Sequence, residues 1–72
     1  LRFESATFEE VVKKMERWYD VKITVDPAIN IKERYTMTIK TESLRELLQL
    51  LSKTTDMDYE INENHVLIKN SR

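Results

Sequence analysis

Apolar and polar positions along the chain fall into two regimes: strict alternation in short runs, and helical spacing in two longer ones. Leu1 and Phe3 are apolar with Arg2 between them, a strand-like entry. Phe8, Val11, Val12, Met15, Trp18 and Tyr19 then recur at three- and four-residue steps. They predict a helix with one buried face and with Glu9, Lys13, Lys14, Glu16 and Arg17 on the wet side. Val21–Asp26 alternates again and reads as a half-buried strand, ended at Asp26-Pro27 because proline offers no ladder donor. Residues 27–34 connect it to another alternating run, Tyr35–Lys40, with room for one helical turn on the way. Leu44, Leu47, Leu48 and Leu51 predict a second helix face, with Leu50 at its border. Asp58–Ile61 and His65–Lys69 read as a closing hairpin around Asn62-Glu63-Asn64, where asparagine tolerates the left-handed region in place of glycine. Asn70-Ser71-Arg72 is expected to fray.

Both helices carry start signals. Thr7-Phe8-Glu9-Glu10 and Ser43-Leu44-Arg45-Glu46 are capping boxes, each pairing a hydroxyl with a glutamate three residues on. Glu9–Lys13 and Glu10–Lys14 are i,i+4 pairs, the second forming only when Glu10 is not occupied in its box. A shift of 36 (43 minus 7) lays one half of the chain on the other. Thr7 falls on Ser43, Glu10 on Glu46, Val11 on Leu47, Val12 on Leu48 and Met15 on Leu51. Leu1 and Phe3 fall on Met37 and Ile39, and Val21, Ile23 and Val25 on Met57, Tyr59 and Ile61. A βαβ unit used twice, with one strand appended, predicts an α+β fold in the order β-α-β-β-α-β-β. The wide apolar arc of the first helix suits two helices packed between two small sheets.

Length and composition narrow the possibilities further. Seventy-two residues make one domain, residues 1–72, with a thin core. There is no cysteine, so neither disulfides nor thiolate metal sites are available, and one histidine does not build a zinc site. The 12 basic and 13 acidic residues are interspersed, which argues against nucleic acid and against a polybasic membrane anchor. No stretch approaches the roughly 20 apolar residues of a membrane span. The chain begins at Leu1, without a methionine or a signal peptide, and is read as a domain excised from a longer protein.

Catalytic chemistry finds little support. The chain has no glycine, which removes phosphate loops, dinucleotide fingerprints and the nucleophile elbow together. His65 has Glu63 nearby but no converging nucleophile, and reads as a surface residue. The acidic residues read as caps and solvated faces, because a working carboxylate needs burial. No cofactor, metal or small-molecule substrate is expected. Trp18 is either an exposed anchor for a partner or a core plug at the helix end, and its spacing from Val11 and Met15 favours the plug. The strands Val21–Asp26, Tyr35–Lys40 and His65–Lys69 are candidate sheet edges, open to strand addition by another chain. Lys22, Tyr35, Lys40, His65 and Lys69 are the candidate partner-binding residues there. Lysines also guard edges against aggregation, and both readings stand.

Three segments resemble a family. Phe8 to Ile23, with Glu16-Arg17-Trp18-Tyr19 as its most specific part, is similar to a helix and strand of FecR-type anti-sigma factors. Tyr35 to Leu51 resembles the strand, serine cap and leucine-rich helix that follow in that family, and Tyr59 to Ile68 its terminal hairpin. The chain departs from the family at Met37 and near Asn64, where glycine is usual. The resemblance implies the C-terminal periplasmic module of a single-span inner-membrane anti-sigma factor, related to the signalling domains of secretins and TonB-dependent transporters. Its partner is then the signalling domain of such an outer-membrane transporter. Its cytoplasmic part restrains an extracytoplasmic-function sigma factor, and the module itself does no catalysis. Two other readings stay open: the signalling domain of a transporter or secretin, and a small ligand-binding domain or enzyme using His65 and the carboxylates.

Overall fold

The computed structural model describes residues 1–70. Its elements are β1 (Arg2–Thr7), α1 (Phe8–Tyr19), β2 (Lys22–Val25), β3 (Arg34–Thr38), α2 (Leu44–Thr54), β4 (Met57–Asn62) and β5 (His65–Asn70). Both capping boxes form: Thr7 and Ser43 each accept from the third helical N–H, and Glu10 and Glu46 reach back to the cap N–H. With Glu10 so engaged, Lys14 lies instead over the Phe3 ring, 5.7 Å from its centroid.

The strands build two sheets, β1-β3 and β2-β5-β4. β1 and β3 run antiparallel with Arg2 opposite Thr38 and Phe3 opposite Met37. Leu1 and Ile39 exchange backbone hydrogen bonds in both directions, extending the ladder. The pairing contains the repeat. Arg2 and Thr38 differ by 36 (38 minus 2), so a local two-fold runs through that pair. It carries Phe3–Met37 onto Ile39–Leu1. The register breaks between Phe3 and Ala6 at a bulge where Ser5 takes φ 50. Thr36 Oγ1 accepts from Ser5 N and Arg34 donates to Ser5 O, which hold the bulge.

The helices lie between the sheets and share one core. Phe3, Ala6, Tyr35 and Ile39 face it from the two-stranded sheet; Ile23, Met57, Val66 and Ile68 face it from the other. Val11, Val12 and Met15 of α1 and their repeat counterparts Leu47, Leu48 and Leu51 of α2 fill the space between. The Phe8 and Tyr35 rings pack at 6.3 Å with a 49° tilt. Tyr35 Oη and Thr55 Oγ1 share the hydrogen bond that satisfies the one buried polar side chain among the described residues.

Several expectations change. Trp18 is not a core plug; it is 54% exposed. At about 100° per residue it sits about 20° beyond Val11 on the helix wheel, and in the last turn. Tyr19 closes that end of the core instead, its hydroxyl donating to the Glu42 carbonyl at 2.8 Å. The 27–34 loop contains no helical turn. Asp26 makes a β-turn there, its carbonyl accepting from Ile29 N and its side chain from Ala28 N. In the hairpin the positive φ falls on Glu63, at 56°, and not on Asn64. Asn70 does not fray but pairs with Met57 at the end of β5; Ser71 and Arg72 lie outside the described residues.

Candidate functional site

Among the described residues no group of His, Asp and Glu side chains is placed to hold a metal ion. His65 is exposed, and its Nε2 shares a 2.8 Å hydrogen bond with Thr24 Oγ1 across β2 and β5. No helix among the described residues is long and apolar enough to cross a membrane. What the fold offers a partner is strand edges and the outer faces of its two sheets.

The topology redistributes the candidate residues. β5 is the centre of its sheet, so His65 and Lys69 are not at an edge. An appended strand with two repeat strands available is bonded on both sides, and the alternation within His65–Lys69 carries no trace of that. Lys22 is on β2, a true edge, and stands opposite His65, with Asn62 completing the row. Lys22, His65 and Lys69 thus share the outer face of the three-stranded sheet. Tyr35 and Lys40 belong to the other sheet. Tyr35 is buried and points into the core, so its ring is no surface contact. Lys40 follows β3, exposed, with its N–H held by the Glu42 carboxylate at 2.8 Å.

On the outer face of the three-stranded sheet, β4 and β5 are joined by an ion pair. Lys69 donates to Glu60 Oε1 at 2.8 Å, and that hydrogen bond, followed by the Glu60 charge, raises the lysine above its ordinary pKa. Glu42 is lowered, first by the hydrogen bond from the Lys40 backbone. Burial pushes the hydroxyls of Tyr35 and Tyr19 up. The remaining grooves are shallow. One of about 490 Å³ lies beside β2, lined by Phe8, Val12, Ile23, Val25, Ile29 and Ile31 among others. His65 lines none of the grooves described.

Sequence patterning missed two features. β4 is an edge strand, and its Asp58–Ile61 alternation looked like that of any hairpin arm. Glu16, expected on the wet face of α1, turns instead to β2: its Oε2 accepts from Ile23 N at 2.8 Å. Lys22 N and Asp26 N bond toward β5, so in a pleated strand Ile23 and Val25 present their backbone groups to the open side. Glu16 therefore blocks one donor of that edge. Only the spacing of 16 to 23 across a tight turn hinted at it.

Comparison with known proteins adds three findings. A family model described as FecR, C-terminal, matches residues 1–68. Two crystal structures of a protein assigned as an anti-sigma factor of Parabacteroides distasonis superpose with TM-scores of 0.87 and 0.85, each at 21% identity. They cover all of this chain and 34% of theirs, so the chain spans about a third of their length and shares their fold. No curated protein sequence matches significantly.

Proposed function

The chain belongs to the FecR C-terminal family, and from that premise we propose that it is the periplasmic protein-interaction domain of a transmembrane anti-sigma factor. It receives the signalling domain of a TonB-dependent outer-membrane transporter. The cytoplasmic part of the full-length, single-span protein passes that contact to an extracytoplasmic-function sigma factor, and transcription responds. The domain is non-enzymatic and takes no nucleic acid, cofactor or small-molecule substrate. The family match across residues 1–68 carries this reading. A core filled by both helices and sheet edges left open are in keeping with it. Lys22 and Lys40, exposed beside open strands, and His65 and Lys69, on the outer face, are the proposed contact residues; the buried Tyr35 is not among them.

Titration calorimetry with the transporter's signalling domain tests the proposal. Saturable binding with a dissociation constant in the micromolar range is expected. No heat up to near-millimolar concentration would refute it.

A further inference from the structure

The two halves of the repeat end in edge strands that are equivalent in position and different in protection. β2 and β4 flank β5, and the shift of 36 sets Ile23 on Tyr59 (23 plus 36) and Glu16 on Ser52 (16 plus 36). On β2 the Glu16 carboxylate occupies the outward N–H of Ile23. On β4 the corresponding Ser52 hydroxyl is spent inside its own helix, donating to Gln49 O at 2.8 Å. β4 is also longer, six residues against four.

The outward groups of β4 follow from the hairpin. Asn62 pairs with His65 across a two-residue loop, which makes that pair and every second one before it hydrogen-bonded. Asn62, Glu60 and Asp58 therefore bond to β5, and Ile61 and Tyr59 turn their N–H and C=O to the open side. Among the described residues, no turn, loop or side-chain hydrogen bond reaches those two backbones. The repeat gives the same answer independently, because Lys22, Thr24 and Asp26 map onto Asp58, Glu60 and Asn62.

Side chains define what pairs there. Asp58 and Glu60 project to the exposed outer face, whereas Tyr59 and Ile61 lie half-buried on the inner one. A second copy of β4 would set these acids against themselves, which is unfavourable for cross-strand neighbours. We infer that β4 is the docking edge for an extended segment of the partner protein that alternates basic and apolar residues. Its backbone bonds to Tyr59 and Ile61, its basic side chains face Asp58 and share Glu60 with Lys69, and its apolar ones extend the inner face. This rests on the protein-interaction reading above.

The test uses a blocked synthetic peptide alternating lysine with valine, and a glutamate–valine peptide as control. Amide hydrogen exchange by NMR should slow at Tyr59 and Ile61 with the lysine peptide only. The Asp58→Asn/Glu60→Gln variant, and Asp58→Asn alone as a change that spares the Glu60–Lys69 pair, should stay folded with a cooperative melting transition; the double variant should bind that peptide about fivefold or more weakly. Protection at Val25 instead, equal binding of both peptides, or no binding overturns the inference. If the transporter's signalling domain binds native and double-variant protein equally, the partner stands and the edge falls. If the peptide result holds but the signalling domain binds neither form, the edge stands and the proposed partner falls.

Discussion

Leu48 and Leu50 are one residue type, two positions apart on one helix, and the structure gives them opposite roles. Leu48 is 0% exposed, among the largest fully buried side chains, and Leu50 is 45% exposed. Leu48→Ala removes the transfer free energy of the side chain and leaves a hole between two sheets that are pinned by their ladders. Comparable buried truncations cost about 2–5 kcal/mol, and about 3 is expected here. A domain of 72 residues has about 4–11 kcal/mol in total, so a large share of its stability goes. At about 4–8 °C per kcal/mol the melting temperature should fall by about 12–24 °C.

Leu50→Ala opens no enclosed hole, and alanine is the better helix former, so its cost should stay within about 0.5 kcal/mol. Thermal and urea denaturation of the two variants side by side measure the contrast. The repeat adds an internal control: Val12 is the counterpart of Leu48, and Val12→Ala, which removes two methyl groups, should cost about 1.5 kcal/mol or more. Similar losses for Leu48→Ala and Leu50→Ala would refute the assignment of the α2 face, and with it the placement of both helices between the sheets.

Three further outcomes are expected. Tyr35→Phe strands the buried Thr55 hydroxyl and should cost about 1–3 kcal/mol, part of which Tyr35→Phe/Thr55→Val restores, as a denaturation cycle will measure. Glu63→Gly relieves a positive φ and should raise stability by about 0.5–1 kcal/mol, read as a higher urea midpoint at unchanged slope. Glu10 is held below its ordinary carboxylate pKa, first by the hydrogen bond from the Thr7 backbone, so its contribution is present above pH 4.5 and lost as pH falls through the lowered value. Glu10→Gln should therefore flatten part of the acid limb of a pH–stability curve.

The core was legible in the sequence because it is periodic. Phe8, Val11, Val12 and Met15, and Leu47, Leu48 and Leu51, are buried as their spacing predicts, and the shift of 36 that aligns them is the one the β1–β3 register obeys. Trp18 was misread because a helical wheel has no ends: the spacing is right, but in the last turn Tyr19, and not Trp18, packs against the core. The edges were misread for a different reason. Strand order is a property of the whole chain, and nothing local to His65–Lys69 distinguishes a central strand from an outer one.

With no glycine in the chain, positive φ falls on other residues, and in the hairpin it falls on Glu63 where asparagine was expected to take it. Among the described residues positive φ falls on Ser5, Asp20 and Glu63. Asp20 is the instructive one. Its left-handed cap (φ 53, ψ 54) ends α1 abruptly, with Asp20 N and Val21 N both bonding to Glu16 O. The chain doubles back so sharply that the Glu16 side chain also meets Ile23 N seven residues on. α2 ends differently: Thr55 is extended (φ −133, ψ 139), its N–H bonding to Leu51 O and its carbonyl accepting from Met57 N. Ser52, shorter and bonded within α2, has no route to Tyr59. One repeat therefore blocks one donor of its edge through the geometry of its helix cap, while the other leaves the equivalent donor open. The difference between the halves thus lies in two places: a left-handed cap at Asp20 where α2 ends on an extended Thr55, and Glu16 where the second copy has Ser52.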